Sequence, residues 1–70
     1  MKGGRRLIET KLFPNLTETN SVAQIEELCE SITKETGVHI IVIDTGKYVD
    51  ISWEEDGKPI NYGLKKEEIF

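Results

Sequence analysis

A chain of 70 residues, 37% hydrophobic and 31% charged, is one small domain, and at this size only about 60% of the unfolded surface is buried on folding. A large enclosed cleft is therefore not expected, and neither is disorder. The longest apolar run, Ile40 to Ile43, falls far short of the ~20 residues of a membrane-spanning helix. Cys29 is the single cysteine and can form no internal disulfide, which, with no apolar leader in "MKGGRRLIETKLF", points to a cytoplasmic protein.

Residues 1–5 read as a flexible basic N-terminus and residues 6–70 as a single domain. From Arg6 to Phe13, alternation places Ile8, Thr10 and Leu12 on one face, which predicts a first strand ended by Pro14-Asn15. Asn20 or Ser21 then caps a helix whose apolar positions Val22, Ile25, Leu28, Cys29 and Ile32 recur at three- and four-residue spacing. Gly37 sits where a left-handed C-cap belongs, so the helix is expected from about Ser21 to Thr36, with Glu26, Glu27 and Glu30 on its outer face.

A second strand follows at Val38 to Ile43, reversed through Asp44-Thr45-Gly46, where a type I turn with a glycine bulge is expected. In "KYVDISW" the alternation is clean: Val49, Ile51 and Trp53 point one way, and Tyr48, Asp50, Ser52 and Glu54 the other. Asp56-Gly57 is a second hairpin signal. Beyond it Ile60, Tyr62 and Leu64 form a strand that Pro59 confines to an edge, and "KKEEIF" reads as a charged turn or helical stub. The expected fold is α+β, ordered β-α-β-β(-β), with one helix packed on a mostly antiparallel three- to four-stranded sheet and a right-handed connection through the helix.

The second strand is apolar on both faces, and one helix covers only one of them. A second copy of the chain is the simplest cover for the other, which makes a homodimer with an interface at His39, Ile41 and Ile43 the expectation.

"IIVIDTGK" resembles the active-site segment of retroviral-type aspartic proteases, in which two such loops of a dimer oppose carboxylates that share a proton. The resemblance covers Asp44, Thr45, Gly46 and the preceding apolar residues. Lys47 stands where that family has a small residue, and neither a glycine-rich flap nor a later apolar-apolar-glycine segment is found. Asp and Gly are also what a tight hairpin requires, so Asp44 reads as a turn residue. Gly46-Lys47 lacks the earlier glycine and the following Ser/Thr of a phosphate loop. His39 is the only histidine and has no Cys or His at ligand spacing, Cys29 lies on the helix's apolar stripe, and Glu54-Glu55-Asp56 lacks the spaced oxygens of a calcium loop. No catalytic residue, metal or cofactor is expected.

Charge carries more information than these motifs. From Leu12 to Lys58 ten acids face three lysines. Such a body repels phosphate backbones and favours a basic protein partner. The expected function is a small acidic protein-binding module acting as a homodimer. By analogy of size and charge with small phage and mobile-element proteins, it would inhibit a basic partner. Its recognition surface is expected at Tyr48, Asp50, Glu54, Glu55, Asp56 and Tyr62, with Trp53 either an anchor there or core beneath the helix. The alternatives are a nucleic-acid-associated subunit using Lys2, Arg5 and Arg6, and a small dimeric enzyme with a site between subunits built from Asp44, His39 or tyrosines.

Overall fold

The computed structural model describes residues 7–70, so the expected basic arm at Lys2, Arg5 and Arg6 lies outside the described residues. Two helices, α1 (Leu7–Leu16) and α2 (Val22–Thr36), precede three strands, β1 (Ile41–Asp44), β2 (Tyr48–Glu55) and β3 (Lys58–Lys65), and a short closing helix, α3 (Lys66–Ile69). The α+β class holds, but the first element is a helix. The expected β-α-β crossover is therefore absent, and the sheet is wholly antiparallel in the order β1-β2-β3.

The reason lies in spacing. Ile8, Leu12 and Leu16 recur every four residues and are buried on one face of α1, a repeat that a helix stacks on one side. Strand alternation would also bury Thr10, which is exposed and turns its hydroxyl back onto the Leu7 carbonyl at 2.7 Å. Pro14 removes one amide from the ladder. It falls in the last turn, where the Asn15 side-chain amide donates to the Lys11 carbonyl at 2.8 Å.

The second helix follows its sequence signals. Ser21 is extended and accepts from the Gln24 amide, and Gly37 closes the helix at φ 78°, its amide bonded to the Thr33 carbonyl. In return the Gln24 side chain accepts from the Asn20 amide at 2.7 Å, a variant of the reciprocal capping box.

Both hairpins are tight. The Thr45 amide donates to the Tyr48 carbonyl at 2.9 Å, so Gly46 and Lys47 alone form the tip, one residue later than the bulged turn expected from the sequence. Asp56 (φ 55°) and Gly57 (φ 74°) form the second tip, the doubly left-handed conformation that Asp-Gly favours in two-residue hairpins. Pro59 lies on β3, an edge strand.

The core is Ile8, Leu12, Leu16, Ile25, Cys29, Ile32, Ile40, Val49, Ile51, Trp53 and Ile60. It sits between the helices and one face of the sheet. On that face Val42, Ile51 and Tyr62 line up across the three strands, flanked by the Val49–Leu64 and Trp53–Ile60 pairs.

Candidate functional site: the open sheet face and the β1 edge

Pairing register assigns every strand residue to a face. Opposite the core lie Ile41, Ser52 and Asn61 in one row and Ile43, Asp50 and Gly63 in the next, with Tyr48 beside Lys65 and Glu54 beside Pro59 at the two ends. Ile41 (46%), Ile43 (53%) and Tyr48 (41%) are three of the large apolar side chains left exposed, and all three belong to this uncovered face. Asp50 leans over Gly63, where an added Cβ would lie 3.2 Å from its Oδ1. The glycine thus leaves the space the carboxylate fills.

Four of the residues expected at an interface, Ile41, Ile43, Tyr48 and Asp50, share this face, Glu54 stands at its end, and His39 is exposed just before β1. The structure places the others elsewhere. Tyr62 points into the helix side, stacked on Trp53 with ring centroids 5.7 Å apart and edge-on to Phe13 at 5.0 Å. Trp53 is core, so the anchor reading does not hold. Its Nε1 donates to Glu55 Oε1 at 3.0 Å, while Glu55 Oε2 accepts the Leu7 amide at 2.9 Å. A carboxylate at a helix N-terminus is favourably placed against the helix dipole, and here it ties α1 to the sheet. Asp56 stands at the tip of the second hairpin with its side chain exposed.

Asp44 is held as a turn carboxylate. Lys66 Nζ lies 2.7 Å from its Oδ1, and the Gly46 amide donates to the same oxygen at 2.9 Å. The Lys66 side chain first, and then that amide, keep the carboxyl below its ordinary range. A depressed carboxylate stabilises the fold above its unfolded pKa, and this contribution disappears as pH falls through the folded value. Asp44→Asn is accordingly expected to change neutral-pH stability little, because the pair is exposed to solvent. It should also flatten part of the acid limb in denaturant melts repeated from about pH 5 down to pH 2. An acid limb identical to that of the parent chain would contradict this role.

Beside the sheet runs a second feature. A groove of about 240 Å³ separates α2 from β1, lined by Glu26, Cys29, Glu30, Thr33, His39, Ile40 and Val42. Cys29 lies buried in its wall, and burial first, then the nearby Glu26 carboxylate, push the thiol up to about 11. A protonated, buried thiol is a poor nucleophile. At the far end of the sheet Lys47, Tyr48, Lys65, Lys66 and Glu67 line a hollow of about 440 Å³, so lysines gather at the Tyr48 end of the open face and Glu54 lies at the other.

Among the described residues no group of three or more His, Cys, Asp or Glu is placed to hold a metal ion, and no helix is long and apolar enough to cross a membrane. No family model, curated protein or solved structure matches the chain, so the functional reading rests on this geometry.

Proposed function

We propose that the chain is a small cytoplasmic protein-binding module that acts as a homodimer through the open face of its sheet. The observation that carries this reading is the position of Ile41, Ile43 and Tyr48, exposed together on the face that, among the described residues, no helix covers. Three strands about 4.8 Å apart and up to eight residues long give that face a planar footprint of roughly 400 Å². Two such faces bury about 800 Å² in total, the size of a weak, transient contact rather than of a standard interface, and association no tighter than the micromolar range is expected.

Charge favours a second copy in one orientation. Lys65 and Glu54 stand at opposite ends of the face, about 20 Å apart along the strand. A two-fold axis perpendicular to the strands sets the lysine end of one protomer over the acidic end of its partner. The acidic helix side then remains outward, available to a basic protein, in keeping with an inhibitor that occupies a basic surface.

Sedimentation across micromolar concentrations tests the dimer. Ile43→Glu is expected to weaken self-association at least tenfold, with an unchanged melting curve at concentrations where the parent chain is monomeric, because the side chain is exposed in the single chain, and with a lower melting temperature than the parent where the parent is dimeric. Glu54→Lys is expected to weaken it less, with a smaller response to salt. A parent chain that stays monomeric at several hundred micromolar would remove the homodimer.

A further inference from the structure

Among the described residues, the side of β1 that faces away from β2 is a sheet edge, bordered by the groove against α2. Antiparallel strands send alternate residues' backbone groups to opposite sides. The Thr45 amide bonds to the Tyr48 carbonyl, and the same register pairs Ile43 with Asp50 and Ile41 with Ser52. The backbone groups of Val42 and Asp44 therefore point away from β2, along an edge that, among the described residues, no other strand covers.

The two sheet edges differ in how they are protected. On β3, Pro59 offers no amide, and Lys58 and Lys65 add charge, features that discourage further pairing. The sequence of β1, Ile41-Val42-Ile43-Asp44, contains neither proline nor lysine. Where β3 is blunted, β1 is bordered by the groove whose α2 wall presents Glu26 and Glu30. Glu30 is paired with Lys34 at 3.6 Å, with both side chains largely exposed, and such a pair is readily exchanged.

The geometry points to β1 as the docking edge for an extended basic segment of a partner protein, added antiparallel as a fourth strand, with basic side chains in the Glu26–Glu30 groove and apolar ones beside Ile41 and Ile43. Successive side chains of an added strand alternate between these two environments, so the segment recognised is an alternating basic–apolar sequence. This inference rests on the protein-binding reading and not on the homodimer, because the edge remains open whichever copy or partner covers the face.

The test uses the full chain and a fluorescent six-residue peptide of alternating lysine and valine, with a glutamate–valine peptide as control. Residues opposite Val42 and Asp44 in an antiparallel pair place their side chains on the groove side and their amides toward β1. N-methylation of the three lysine amides is therefore expected to abolish binding, and N-methylation of the three valine amides to preserve it. The double variant Glu26→Lys/Glu30→Lys should weaken binding at least tenfold, with its milder counterpart Glu26→Gln/Glu30→Gln intermediate and both folded by circular dichroism. Tyr48→Glu protein, altered on the open face at β2 and not on the docking strand, that is monomeric in sedimentation yet still binds the lysine peptide would support the edge while the dimer is tested separately. Equal binding of the acidic peptide, binding that survives lysine N-methylation, or no binding at millimolar peptide would each overturn the assignment. So would β1 amides protected from exchange by self-association alone, which would give the edge to a second copy.

Discussion

Trp53→Ala is expected to unfold a large share of the protein at 25 °C. Trp53 is only 4% exposed, stacks on Tyr62 and donates its indole N–H to Glu55. Truncating a buried tryptophan costs roughly 3–5 kcal/mol, and a single core in a domain of this length rarely supplies more than about 3–5 kcal/mol in total. The loss also reaches α1, because the Glu55 carboxylate that accepts the indole proton accepts the Leu7 amide as well. Urea denaturation followed by far-ultraviolet circular dichroism reads the result. A midpoint close to that of the parent chain would mean that the indole is not core and would return Trp53 to the exposed recognition surface.

The parts of the fold legible in the sequence are those set by local chemistry. Ser21 and Gly37 mark the ends of α2 because capping depends on a hydroxyl and a left-handed residue at fixed positions. Asp56-Gly57 marks its hairpin for the same kind of reason. Tyr48, Asp50 and Glu54 were legible as the open row because Val49, Ile51 and Trp53 between them are so plainly apolar.

Where two periods agree, the sequence is ambiguous. Ile8 and Leu12 are four apart, which suits both a strand and a helix, and Pro14 reads as a break in either. The residue that favours the helix is Leu16, beyond the proline, and no strand ending at Phe13 accounts for it. Tyr62 carried a usable signal, since it shares its alternation with Ile60 and Leu64, and Glu55 shares that of Trp53. By contrast, nothing local couples Asp44 to Lys66. That ion pair needs the chain after β3 to continue the ladder, as the Lys66 amide does by bonding to the Lys47 carbonyl at 2.9 Å.

Leu16→Ala separates the two possible readings of the first segment most sharply. In the helix, Leu16 completes the buried stripe begun by Ile8 and Leu12 and is 6% exposed, so its truncation is expected to destabilise the domain by about 2–5 kcal/mol. Thr10 points to solvent on the same element. Thr10→Lys is expected to change stability by less than about 0.5 kcal/mol, as surface substitutions usually do. A strand from Arg6 to Phe13 demands the opposite ranking, since Thr10 would then lie on the core face between Ile8 and Leu12 and Leu16 would belong to a polar connection. Paired urea melts of the two variants decide the matter: a harmless Leu16→Ala beside a disruptive Thr10→Lys would restore the strand, whereas the reverse order follows from a four-residue repeat carried through a proline in the last turn of a helix.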